Sequence, residues 1–331
     1  MRILAITPGP LDATSLYRCW GPLSALHKSK KIDLVEDAQV NWKTLRAVDL
    51  VFMSRPSLPV HLRIAEMARN NSVPVVVDWD DDLFDVPVSN PAFWTTSADE
   101  EFKDTCKKIL AISSLVIAST EHLKKNFEGL GVKRVEVVPN AWDEEVLGLG
   151  DGGNENPVVM WRGSNTHDAD LASISAPLLE VMGDEKEFSL HFLGQPLGSL
   201  LLRLVDLKAP FKLTQAVDPM KMFQFFRSVK ASMFMVPLEF NNFNLSKSNC
   251  AWIEGTMTGS AVIGPDIEEF RRPGVIGYKT EADFARVLKY AMRNPEFRKD
   301  SQAASLEYVR ENLFLSKVNS KRLELFSSIL K

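Results

Sequence analysis

The sequence predicts an α/β chain of two domains, each an open parallel sheet with helices on both faces. Three observations carry that prediction. The chain has 331 residues, whereas one hydrophobic core ordinarily serves roughly 100–200 residues. Apolar runs of strand length alternate with stretches of helical periodicity through the first half. After a glycine-rich break the same alternation begins again, which is the pattern of parallel strands joined by crossover helices.

Taken in order, the first-half strands are expected at Arg2–Thr7, more weakly near Asp33–Glu36, then at Val48–Met53, Pro74–Trp79, Leu115–Ala118 and Val135–Val138. Helices are expected at Val60–Asn70, Asp99–Ala111 and Glu121–Leu130. Residues 148–156 read Gly-Leu-Gly-Asp-Gly-Gly-Asn-Glu-Asn. A dinucleotide-binding fingerprint sits between a strand and the helix it opens; this stretch precedes a strand, so it reads as a linker. Strands then follow at Val158–Trp161, Phe188–Leu193, Phe211–Thr214, Ser232–Val236 and Ala261–Gly264, with helices at Asp168–Val181, Pro219–Val229, Ser246–Met257 and Glu281–Arg293. Two further helical patterns, Phe297–Asn312 and Ser316–Leu330, close the chain. The last has no strand of its own domain to cover. The predicted division is therefore 1–150, 151–312, and a segment 313–331 returning to the first domain.

Composition narrows the class. A hydrophobic fraction of 45% with 25% charged residues is that of an ordinary soluble domain. A formal charge of −4 supplies no overall basic field for nucleic acid. Cys19, Cys106 and Cys250 form neither a zinc spacing nor a disulfide framework, pointing to a reducing compartment. The opening run MRILAIT is too short for a signal-peptide core, and no run approaches the ~18 apolar residues of a membrane span. A cytoplasmic location is expected.

Ligands of open parallel sheets bind beyond the carboxyl ends of the strands, so the residues just after each strand carry the chemistry. After the first strand come Gly9, which allows close backbone approach, and Tyr17-Arg18, where Arg18 offers a planar fork to phosphate or carboxylate; a loop with a surface arginine is the plainer alternative. After the strand at Pro74–Trp79 stands Asp78-Trp-Asp80-Asp81-Asp82. Four acids in five positions repel one another, and three successive residues cannot all point at one ion. One or two are expected to line the cleft, the others to cap a helix or meet solvent. Trp161-Arg162-Gly163-Ser164-Asn-Thr-His167 joins a strand to a helix, where backbone N–H groups make an anion site and Arg162 and His167 add donors. Asp168 and Asp170 are read as serving the first helical turn. In Ser246-Lys247-Ser248…Glu254, a helix starting at Asn244 or Ser246 places Lys247 in its first turn and Glu254 on the same face, roughly 10 Å along the axis. That separation suits a pyrophosphate and a ribose diol.

The strand-linked Pro139-Asn140-Ala141, the Gly163-Ser164 turn and the Phe243–Glu254 segment before Gly259-Ser-Ala-Val-Ile-Gly264 resemble family-4-like (glycosyltransferase group 1) retaining enzymes of the GT-B fold. The Asp78–Asp85 segment is similar to one in a bacterial and phage branch of them. The resemblance spans nearly the whole chain. It implies two Rossmann-like domains with parallel sheets facing across a cleft and a nucleotide-diphosphate sugar as donor; no cofactor is expected to be required, and no metal-ligating residues are singled out. Carried over by position, it implies that Glu254 holds the ribose and that Gly163, Ser164, His167, Ser246, Lys247 and Ser248 complete the donor side. Lys247 and Arg162 then face the leaving diphosphate, where fixed donors act on developing charge. Asp80 or Asp81 positions the acceptor, and Gly9, Tyr17, Arg18 and Asp78 lie on the acceptor side. The family's second glutamate, eight residues before the ribose-binding one, is Ser246 here. The acceptor implied is a glycan or lipid-linked sugar, with modified phage DNA as the alternative. An epimerase or phosphorylase on the same fold and a non-catalytic binding protein are the competing readings. A nicotinamide enzyme is disfavoured because neither strand-to-helix turn carries GxGxxG.

Overall fold

The computed structural model describes residues 1–7, 12–35 and 40–330. Two six-stranded, wholly parallel sheets organise them. The first contains β1 (Arg2–Ile6), β2 (Asp33–Val35), β3 (Leu50–Ser54), β4 (Val75–Trp79), β5 (Leu115–Ala118) and β6 (Val135–Val137), in the order β2-β1-β3-β4-β5-β6. The second contains β7 (Asn156–Gly163), β8 (Ser189–Gly194), β9 (Phe211–Thr214), β10 (Ala231–Met235), β11 (Ala261–Pro265) and β12 (Ile276–Tyr278), in the order β12-β11-β10-β7-β8-β9. Numbered from its own first strand, the second sheet runs 3-2-1-4-5-6, the dinucleotide-binding order, with its topological switch between β7 and β10.

Central strands are buried on both faces, as parallel sheets under two helical layers require. Every residue of Leu50–Ser54 and of Val75–Trp79 is buried. One face of the first sheet packs Val51, Val77, Ile109 and Phe127, and the other packs Ile3, Leu23, Phe52 and Phe326. The helix Leu315–Ser328 belongs to that second face: Phe326 meets Phe52 edge-on at 5.9 Å, and Asn319 donates to the Pro22 carbonyl. The chain crosses between the halves twice, and the crossings pair. Trp142 N–H donates to Leu313 O and Leu315 N–H to Trp142 O, both at 2.8 Å. The Trp142 indole is fully buried against Phe223 of the second half, a burial worth roughly 1.5–3 kcal/mol for a large apolar side chain.

Three differences from the sequence reading have local causes. Strand β12 was not predicted; it is three residues long with Gly277 at its centre, too short to show alternation. The helices Ala13–Arg18 and Gly198–Asp206 were not predicted either. The helix expected over Ser246–Met257 is in fact a short turn, Asn242–Leu245, followed by a break and then Cys250–Met257. Ser246, Ser248 and Asn249 all carry short polar side chains that offer the backbone alternatives to helix. No helix among the described residues is long and apolar enough to cross a membrane.

Candidate active site

The carboxyl ends of the two sheets face each other, and the loops after them meet. From the second sheet come the β7 turn and the segment after β10, the two sides of its switch point. From the first come the loops after β1, β4, β5 and β6.

The break before Cys250 decides where Lys247 goes. It lies outside the helix rather than in its first turn, so the expected Lys247–Glu254 face does not exist. Lys247 Nζ instead pairs with Asp81 Oδ1 of the first domain at 2.8 Å and sits 4.5 Å from the centre of the Phe243 ring. Asp81 also accepts from Arg55 Nη2 at 2.7 Å, and Arg55 Nε bonds Asp80. Burial alone would raise the Asp81 pKa; Lys247 and Arg55 outweigh it and hold the carboxyl well below its ordinary range. Burial likewise works against the Arg55 charge, which Asp80 and Asp81 more than restore. Arg55 escaped the sequence reading although it directly follows β3. It holds a left-handed backbone (φ 44°), a conformation uncommon outside glycine that marks a constrained position.

Glu254 is 1% exposed. Its carboxylate accepts from Arg162 Nε and from the Tyr17 hydroxyl, each at 2.7 Å, with Cys250 Sγ at 3.6 Å. Tyr17 thus reaches from the first domain onto the residue expected to hold ribose. Burial first, then Cys250 and Glu254, push the Tyr17 hydroxyl well above its ordinary pKa, so it remains a donor.

The Gly163–Ser164 turn does join β7 to the helix Asp168–Asp184, through a 3-10 turn capped by Ser164. A Cβ on Gly163 would lie 2.5 Å from Trp161 Cζ2 and 3.1 Å from His167 Cδ2, so the turn closes tightly only with glycine. Ser246 and Ser248 do not project into open space. Asn126 donates to Ser246 Oγ at 3.3 Å and to Asp82 Oδ2 at 2.7 Å, while the Thr120 hydroxyl donates to Ser246 O at 3.1 Å. Asn140 donates to Ser248 Oγ at 2.7 Å. Thr120 and Asn126 were not singled out in the sequence, since their shared partner Ser246 lies more than a hundred residues away.

Two acceptor-side expectations need correction. Arg18 and Asp78 are both fully buried and bond each other: Nε to Oδ1 at 2.7 Å and Nη2 to Oδ2 at 3.2 Å. Arg18 also donates to Val138 O and to Asn140 Oδ1. Neither side chain is presented to a ligand; together they tie the helix after β1 to strand β4 and to the loop after β6. Gly9 lies outside the described residues. Asp170 also differs from its expected role. Its carboxylate accepts from His167 Nδ1, Glu239 N and Asn244 Nδ2, all at 2.8 Å, instead of facing the helix start.

Pro87 and Asn90 on one side and His167, Asp170 and Lys247 on the other line a crevice of only ≈ 10 Å³, room for about one water. The crevice is narrow. Cationic and hydrogen-bonding groups gather at the switch point of the second sheet: Asp81 of the first domain occupies Lys247, while Arg162 and His167 are held by Glu254 and Asp170.

No protein-family model matches the chain, and no curated protein does. Solved structures do. The chain is similar to sucrose-phosphate synthase from Thermosynechococcus elongatus, with a TM-score of 0.71 at 12% identity over 99% of this chain and 98% of that one. It is similar to Anabaena HepE, solved in complex with UDP and glucose, with a TM-score of 0.66 at 14% identity over 99% of both chains. A trehalose-6-phosphate synthase studied for glycosyl transfer with retention matches with a TM-score of 0.66 at 11% identity, again over 99% of both. Likeness at such low identity speaks to architecture: this chain has the two-domain α/β GT-B fold.

Proposed function

We propose that the chain is a glycosyltransferase that moves a sugar from a nucleoside-diphosphate donor to an acceptor hydroxyl with retention. The observation that carries this reading is the convergence of Arg162, His167, Lys247 and Glu254 at the switch point of the second sheet, with Asp80 and Asp81 opposite. Residues 151–312 then form the donor domain, residues 1–150 the acceptor domain, and residues 313–331 a brace returning to the first. HepE holds UDP and glucose on the same fold, which favours a UDP-sugar donor.

In this reading the diphosphate displaces Asp81 from Lys247 and lies between Lys247 and the Gly163–Ser164 turn. Ribose reaches Glu254 once Tyr17 releases it. The bond from the anomeric carbon to the diphosphate oxygen breaks, and negative charge grows on the diphosphate, where Lys247 and Arg162 stabilise it. The acceptor oxygen attacks from the same face and passes its proton to the departing diphosphate. Asp81, freed of Lys247 when the domains separate, or its neighbour Asp80 orients the acceptor. Positive charge comes from the side chains, so the reading calls for no cofactor. Its acceptor is a glycan or lipid-linked sugar met in the cytoplasm.

A thermal-shift panel of UDP-, GDP-, ADP- and dTDP-sugars tests the proposal. A true donor at 100 times its Kd stabilises the folded state by ~2.7 kcal/mol. No stabilisation by any of them, together with no release of nucleoside diphosphate on prolonged incubation, would count against transfer.

A further inference from the structure

Asp170 is 5% exposed, and helix-start electrostatics does not explain its contacts. It lies on the helix Asp168–Asp184 after β7, yet two of its three partners, Glu239 N and Asn244 Nδ2, come from the segment after β10. The third is His167 Nδ1. Both N–H donors fall on Oδ1, and His167 meets Oδ2. A carboxylate so engaged only accepts, so Nδ1 of His167 carries a proton, and in the singly protonated ring Nε2 keeps its lone pair. The ring's other edge, carrying Cδ2 beside Nε2, lies against Gly163, the turn at which the proposed donor binds. One buried carboxylate therefore holds the two loops of the switch point together and fixes the tautomer and direction of a half-buried histidine.

We propose that Asp170 is a positioning residue that presents His167 Nε2 as a hydrogen-bond acceptor for a hydroxyl of the donor's sugar. This rests on the glycosyltransferase reading and deepens it, because it assigns recognition of the sugar, separate from the nucleotide, to a residue pair of the donor domain. His167 touches the sugar; Asp170 acts through it.

The substitution D170N is close to isosteric and makes a sharp prediction. The amide oxygen stays with Glu239 N and Asn244 Nδ2, so its NH2 turns to His167. That nitrogen can only donate, which moves the imidazole proton from Nδ1 to Nε2 and removes the acceptor. Ring ¹H–¹⁵N NMR of the full chain reads the tautomer, with the His167 signals among the five histidines identified by their loss in H167A. Calorimetry with UDP, UDP-glucose and UDP-N-acetylglucosamine reads the contact. In D170N the tautomer flips, UDP binds within about twofold of wild type, and the better-bound UDP-sugar loses about tenfold, the worth of a hydrogen bond to an unpaired partner. H167A, which alters a partly exposed side chain and leaves the carboxylate in place, lowers UDP-sugar affinity at least as far, and the double variant loses no more than H167A. An unchanged tautomer in D170N, equal weakening of UDP and UDP-sugar, or a wild type that gains nothing from either sugar over UDP overturns the assignment. A wild type that binds none of the three overturns the donor reading itself, and this assignment with it.

Discussion

If Asp81 occupies Lys247 in place of a diphosphate, removing its charge should make the nucleotide bind more tightly while making transfer slower. The perturbation is Asp81→Asn. The Lys247–Asp81 contact is 2.8 Å long, with the two side chains 21% and 20% exposed. Fully exposed pairs are worth ~0.2–1 kcal/mol, and breaking a buried pair costs ~3–5 kcal/mol. One-fifth exposure places this pair between those limits and nearer the first, at ~1–2 kcal/mol after discounting for solvent screening. A bound nucleotide must repay that sum before it gains Lys247, so in D81N it should bind about 5–30-fold more tightly. Isothermal titration with UDP measures this, and K247A provides the opposite control by weakening UDP in both backgrounds. Transfer to acceptor should fall in D81N, because the aspartate that leaves Lys247 is a candidate for holding the acceptor hydroxyl. A D81N protein whose UDP affinity is within twofold of wild type, while K247A weakens it, would refute the idea that the aspartate competes with the nucleotide.

Arg18→Met leaves Asp78 buried without its fork and removes donors to Val138 O and Asn140; it should cost ~3–5 kcal/mol in urea unfolding, with R18K restoring only part of this because an ammonium cannot span both oxygens. Gly163→Ala drives a methyl to within 2.5 Å of Trp161, so it should lower stability by ~1–3 kcal/mol in the same assay and weaken UDP binding. The adjacent aspartates should show opposite acid responses. Asp81 is held below its ordinary 3.8 by Lys247 and Arg55 against burial, so its contribution is full above that value and is lost as pH falls toward its folded pKa. Burial raises Asp82 above 3.8 against the donors Asn126 and Phe84 N, so its contribution is full below that value and is lost as pH rises through its folded pKa. Thermal melts of wild type against D81N and D82N from pH 2.5 to 6 should therefore give stability differences of opposite slope, and parallel slopes would contradict the assignment.

Much of the fold was legible because local signals and tertiary demands agree. Helices Pro219–Val229 and Glu281–Arg293 begin and end where the sequence places them, since Asp218 with Pro219 and Thr280 with Asp283 are explicit start signals. Strands Leu115–Ala118 and Phe211–Thr214 likewise coincide. The site was legible only in part. The strand-end rule marked Asp80, Asp81, Arg162, Gly163, His167, Lys247 and Glu254, and the structure places them near the facing strand ends, because a strand end is fixed by local sequence. It could not tell which of the marked residues would be satisfied by one another. Arg18 and Asp78 are 60 residues apart, and nothing in either segment says that the fork of one closes on the other. The reading of Asp170 as a helix-start acid was sound as local chemistry; two of its three acceptor contacts, those from Glu239 N and Asn244 Nδ2, exist only because β10 lies next to β7 in the sheet.

The acidic run after β4 shows how the closed cleft hides its own logic. Four like charges within five residues would be costly if they converged, but the alternation along β4 and the turn after it send each carboxylate to a different partner. Asp78 goes to the buried Arg18, and Asp82 to Asn126 and Phe84 N. Asp80 takes Arg55, and Asp81 is shared between Arg55 and Lys247. Only the last of these pairs crosses between the domains. A cation of the donor domain therefore has an anionic partner whether or not nucleotide is present, and the two states differ in which anion it is. If the proposed function holds, that exchange explains why Lys247 can sit next to a helix start without an anion of its own, and why the crevice at His167 and Lys247 is narrow. Opening the cleft would release Asp81 in the same step that frees Lys247, so the donor's arrival and the exposure of an acceptor-binding carboxylate become one event.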